Sequence, residues 1–101
     1  MIDFLKYCNI SKATIDKLYA QIDEPILFSL DSNRDECAKI IEILRRIGID
    51  NHTIENILLS RIDVFFMSSD EFIDKIKKIG ISNFIDTVNN DWIDIDILFE
   101  D

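Results

Sequence analysis

Apolar residues return every three or four positions along most of this chain, in stripes separated by a short recurring junction. Ile15, Leu18, Tyr19 and Ile22 form one stripe, and Cys37, Ile40, Ile41, Leu44 and Ile47 the next. Ile54, Ile57, Leu58 and Ile62 follow, then Phe72, Ile73, Ile76 and Ile79. Such spacing places each set on one face of an α-helix. The junction is Ile47-Gly48-Ile49-Asp50, copied at Ile79-Gly80-Ile81-Ser82 and, more faintly, at Cys8-Asn9-Ile10-Ser11. In each copy a helix ends and a Gly or Asn turns the backbone left-handed. An Ile then packs back, and Ser or Asp caps the next helix.

The elements follow in order. Ile2 to Tyr7 reads as the last turns of a helix. Ser11 caps a helix that Pro25 stops at or before Glu24. Ile26 to Leu30 predicts a buried single turn of tight helix, with Asp31, Ser32 and Asn33 as the next cap. Asp50 or Asn51 caps the second unit, Val64 to Met67 is its short apolar run, and Ser68-x-x-Glu71 is a capping box. A third unit starts at Ser82 with Phe84, Ile85 and Val88. In Trp92 to Phe99, Ile93, Ile95 and Ile97 alternate with Asp94 and Asp96, which is strand period and predicts an extended tail or edge strand, with a final helix turn through Trp92 as the alternative.

Two offsets relate the units. Ile15, Leu18, Ile26, Leu27 and Ser29 lie 39 residues before Ile54, Ile57, Phe65, Phe66 and Ser68. Ile40, Ile41, Leu44, Ile47 and Gly48 lie 32 residues before Phe72, Ile73, Ile76, Ile79 and Gly80. The difference is an insertion around Leu30–Glu36. The expected fold is therefore all-α: a short, solenoid-like helical-repeat array of helix–turn–helix units with an extended C-terminal tail. Its 101 residues read as one domain, with a partial unit 1–10, repeats 11–49 and 50–81, and a partial repeat with acidic tail at 82–101.

Composition agrees and adds a charge. Two Gly, one Pro and 31% charged residues suit packed amphipathic helices and not an all-β chain. The net charge of −9 is uneven, since residues 82–101 carry six acids and no Lys or Arg. Such a surface repels phosphate backbones. Cys8 and Cys37 lack metal-ligand or redox-motif spacing and read as reduced core thiols. With no signal segment and no apolar run of membrane-spanning length, the expected location is cytoplasmic, without membrane association.

The layout resembles the mitochondrial transcription termination factor family, whose motif is a helix, a Pro-x-Leu element, a second helix and a terminal Leu-x-x-x-Gly. Pro25-Ile26-Leu27 and Leu44-Arg45-Arg46-Ile47-Gly48 match it, as does Ile76-Lys77-Lys78-Ile79-Gly80, while Val64 stands where the motif has Pro. Over residues 11–81 the resemblance implies two antiparallel helices and a short tight-helical turn per unit, stacked as a curved solenoid. It also implies nucleic-acid binding along a basic concave face.

The candidate sites divide accordingly. Lys6, Arg45 and Lys77 share one repeat position, and Arg46 and Lys78 another, so stacking would line them up as a ridge able to touch successive phosphates. Against this, cations at helix C-termini also stabilise their own helices. The acidic, apolar end of the chain offers Trp92, Asp94, Asp96, Phe99 and Glu100 to a basic protein, by strand addition or by nucleic-acid mimicry. His52 has no nucleophile or orienting partner in the sequence. The pairs Asp23/Glu24, Asp35/Glu36 and Asp70/Glu71 sit at predicted helix starts or turns, where acids cap and favour the dipole. The expectation is thus a non-catalytic, acidic protein-interaction module, without metal or cofactor, that binds and regulates a basic partner such as a nucleic-acid enzyme or regulator. The alternative is a nucleic-acid-binding module using the Lys/Arg ridge.

Overall fold

A computed structural model describes residues 1–100; Asp101, one of the tail acids, lies outside them. Among the described residues the chain is all helical, with six α-helices and three 3₁₀ segments. In order these are η1 (Asp3–Cys8), α1 (Lys12–Gln21), α2 (Glu24–Ser32), α3 (Arg34–Arg46), α4 (Asn51–Ser60), η2 (Ile62–Phe66), α5 (Ser69–Ile79), α6 (Ile81–Asn90) and η3 (Trp92–Phe99). Among the described residues no helix is long and apolar enough to cross a membrane.

The junctions explain where the helices stop. Asn9, Gly48 and Gly80 are the three described residues with positive φ, at 60°, 102° and 96°. At the first two, the chain closes the same pair of backbone bonds. Asn9 N–H donates to Lys6 O and Ile10 N–H to Leu5 O; Gly48 N–H donates to Arg45 O and Ile49 N–H to Leu44 O. This is the Schellman pattern, in which the residue after the turn packs onto the helix it leaves. Ile10 and Ile49 are accordingly buried, as are Leu5 and Leu44. The third junction differs. Gly80 N–H bonds to Ile76 O, α6 begins directly at Ile81, and Ile81 is exposed. Ser82 therefore lies inside α6 and does not cap it.

Caps set the helix starts. Ser11, Asp50 and Ser68 accept from Thr14, Thr53 and Glu71 N–H respectively. The Ser68 bond is the forward half of the expected capping box. Two local expectations are corrected. Residues 26–30 do not form an isolated buried turn but belong to the nine-residue α2, with Pro25 in its first turn, Leu27 and Leu30 buried, and Ile26 and Phe28 exposed. Asn33 does not cap α3 with its side chain; its amide instead donates to Phe65 O at 2.9 Å.

Buried residues from every element form one cluster, with Phe65, Phe72 and Phe84 the largest enclosed side chains. Around it α1 lies against α4, α3 against both α5 and η2, α2 against η2, and η1 against α3. The expected extended tail is also corrected. Residues 92–99 coil as η3 and pack on α6, α4 and α5. A 3₁₀ helix has three residues per turn, so Trp92, Ile95 and Leu98 share a face. Ile95 and Leu98 are fully enclosed, and Trp92 packs against the core.

Candidate functional site

With Trp92, Ile95 and Leu98 turned inward, η3 presents Ile93, Asp94, Asp96, Phe99 and Glu100 outward. Asp91 starts the element by accepting from Ile93 N–H at 3.0 Å. Ile93 and Phe99 remain 40% and 46% exposed among carboxylates, with no cation on the segment. Four of the five residues expected to meet a partner are thus on the surface. Trp92 is the exception, its indole N–H enclosed without a hydrogen-bond acceptor.

Beside this face runs a cleft of about 460 Å³ between α5 and η3. Ile79, Ile97 and Leu98 supply its apolar part, and Glu71, Asp74, Lys75, Lys78 and Glu100 its charged part. A second trough of about 360 Å³ separates α3 from α5, bounded by Lys39, Glu42, Ile43 and Arg46 on α3 and by Ser69 and Ile73 on α5.

The five cations of the expected ridge are spread over different surroundings. Lys6 borders a smaller cleft with Asp3, Lys12 and Asp16. The Arg45 guanidinium donates to Asn51 Oδ1. Arg46 pairs with Glu42 at 2.8 Å and borders the α3–α5 trough. Lys78 borders the α5–η3 cleft, and Lys77 is exposed.

The polar cluster with most internal bonds centres on Glu55, a residue that sequence reasoning passed over. Its carboxylate accepts from Ser11 N–H (2.8 Å), Ser11 Oγ (3.0 Å), Thr14 Oγ1 (2.7 Å) and Asn51 Nδ2 (3.1 Å). Asn51 Nδ2 also donates to Asn9 O at 3.1 Å. Partial burial opposes the Glu55 charge, but the bonds from Thr14 and Ser11 outweigh it and hold the carboxyl below its ordinary range. The available signal was slight: Glu55 is the one acid in α4. Glu36 works alike from α3, accepting from Ser69 N–H at 3.1 Å, and hydrogen bonding by the Ser69 side chain and then its backbone lowers its carboxyl. Both carboxylates thus satisfy backbone donors at the starts of other helices.

His52 is exposed in the first turn of α4. Asp35/Glu36 and Asp70/Glu71 lie in the first turns of α3 and α5, and Asp23/Glu24 begin α2. Among the described residues no group of three or more His, Cys, Asp or Glu converges as metal ligands. No protein-family model, curated protein or solved structure matches the chain.

Proposed function

We propose that this chain is a short helical-repeat module that acts by binding a protein, without catalysis, and that its partner is basic. The repeat reading is supported by like-on-like packing. α1 and α4 correspond at the 39-residue offset and touch; α3 and α5 correspond at the 32-residue offset and touch. The Asn9 and Gly48 junctions share one hydrogen-bond pattern. The nine-residue α2 and five-residue η2 are the corresponding middle elements, and the insertion is shared between the longer C-terminal end of α2 and the earlier start of α3.

The observation that carries the binding reading is the outer face of η3. It sets two exposed apolar side chains, Ile93 and Phe99, among Asp94, Asp96 and Glu100 on an element anchored by Ile95 and Leu98. Apolar contact supplies affinity at such a surface, while the carboxylates select and steer a cationic partner. Strand addition is not the mode, because η3 offers no strand edge. The partner would be a basic region of a nucleic-acid enzyme or regulator, which this chain would inhibit or adapt.

Surface substitution is the appropriate test, because deleting η3 would strip Ile95 and Leu98 from the core. Affinity capture with the full chain should recover a basic protein, and the Asp94→Lys/Asp96→Lys/Phe99→Ser variant should lose it while remaining folded. Equal recovery by both would remove η3 from the reading.

A further inference from the structure

The α5–η3 cleft and the α3–α5 trough are bordered by equivalent helix faces but closed by different walls. The face of α3 bordering its trough with α5 consists of Lys39, Glu42, Ile43 and Arg46. Moved by the 32-residue offset, these positions become Glu71, Asp74, Lys75 and Lys78. Those four are the α5 residues that, with Ile79, border the cleft. The middle elements agree with this, since α3 touches η2 and α5 touches η3. At the α3–α5 trough the opposite wall is a whole helix, α5, through Ser69 and Ile73; at the α5–η3 cleft it is only the end of the chain, through Ile97, Leu98 and Glu100.

We infer that the α5–η3 cleft is a docking site for one amphipathic helix of a basic protein partner, seated on α5 as α5 is seated on α3. The inference rests on the proposed protein-binding reading and specifies its mode. A helix laid in a groove is anchored by apolar side chains at i, i+3 or i+4, and i+7. Here the half-buried Ile79 and Ile97 would receive them. The charge of the occupant follows from the rim. From α3 to α5, Lys39 becomes Glu71 and Ile43 becomes Lys75, and Glu100 is added from the far side, so the rim holds three carboxylates against two cations, beside exposed Asp94 and Asp96. Lys75 and Lys78 offset only two of the three rim carboxylates, so cations along the flank of the occupant gain the most.

Nuclear magnetic resonance on the labelled full chain tests this. The probe is a synthetic peptide of about 15 residues with Leu along one helical face and Lys on the other. Shift changes should concentrate at residues 71–79 and 97–100. A Glu71→Lys/Asp74→Lys variant, altered only at exposed positions, should bind at least tenfold more weakly. A scrambled peptide of the same composition should bind at least tenfold more weakly than the probe, and equal binding would mean unspecific charge attraction and overturn the inference. Shifts confined to Ile93, Asp94, Asp96 and Phe99 would overturn the cleft while leaving the outer face of η3 as the docking surface. Cleft shifts that appear on concentrating the free chain would assign the place to a second copy, and the absence of any shift would also reject the inference. The capture experiment decides the broader reading independently.

Discussion

Glu55 on α4 accepts both the N–H and the hydroxyl of Ser11, at 2.8 and 3.0 Å, and so ties the cap of α1 to a helix more than forty positions later. The same carboxylate holds Thr14 and Asn51, and Asn51 holds the carbonyl of Asn9. One side chain thereby links the first junction to the second.

Removing that carboxylate leaves several donors without their acceptor. Glu55→Ala is expected to destabilise the fold by about 1–3 kcal/mol, the usual range for unsatisfied polar groups. Urea unfolding monitored by circular dichroism measures it. A change within error would mean that water replaces the carboxylate at no cost.

The pH dependence has a definite sign. Glu55 is held below the ordinary carboxyl range, by bonds from Thr14 and Ser11 acting against burial. A lowered folded-state value contributes stability above the unfolded value, about 4.3 for Glu, that is lost as pH falls through the folded value. The stability gap between the wild-type chain and Glu55→Gln should thus be largest near neutrality and shrink below about pH 4. Unfolding midpoints at several pH values give the gap directly, and a gap that widens in acid contradicts the assignment.

Gly48 sits at φ 102° with nothing within 4 Å of an added Cβ. Gly48→Ala should therefore lose about 1–2 kcal/mol from the backbone alone, and Gly48→Asn less, because Asn tolerates left-handed geometry. Thermal unfolding of the pair separates this from a packing effect, in which the larger Asn would be the worse.

Phe72 and Phe84 meet edge to face, with ring centres 6.2 Å apart and planes at 89°. A double-mutant cycle to Leu should return a coupling of about 0.5–1.5 kcal/mol. A coupling near zero would mean that the two rings contribute burial only.

Arg45 is expected to matter for folding more than for nucleic acid, since its guanidinium is engaged with Asn51. Fluorescence anisotropy with a labelled DNA duplex at physiological salt should show no binding by the full chain. Tight binding abolished by Lys6→Ala or Lys77→Ala would restore the ridge reading.

The parts of this fold that were legible in the sequence are those governed by neighbouring residues. Gly48 and Ile49, Ser11 with Thr14, and Ser68 with Glu71 are local chemistry, and they mark helix ends and starts within a few residues. The stripe of α3 likewise faces the core as its spacing required. The end of the chain was misread because Trp92 to Phe99 carries two periods at once. Ile93, Ile95 and Ile97 alternate as in a strand, whereas Trp92, Ile95 and Leu98 repeat as in a 3₁₀ helix. Packing against α6 and α4 favours the second. The carboxylates of Glu55 and Glu36 were passed over for a related reason, since their partners on other helices lie 33 to 44 positions away. The outward acids and Phe99 of η3 were anticipated as surface; the cleft beside them depends on how α5 and η3 meet, which no local pattern encodes.

Cys37 is fully enclosed, and burial pushes its thiol far above the ordinary range, with Cys8 nearby adding to the effect. Its sulfur is therefore protonated and shielded at neutral pH, and a soluble alkylating reagent reaches it only when α3 separates from its neighbours. The rate of its modification becomes a clock for opening events, with half-buried Cys8 as the internal reference for motions confined to the first residues.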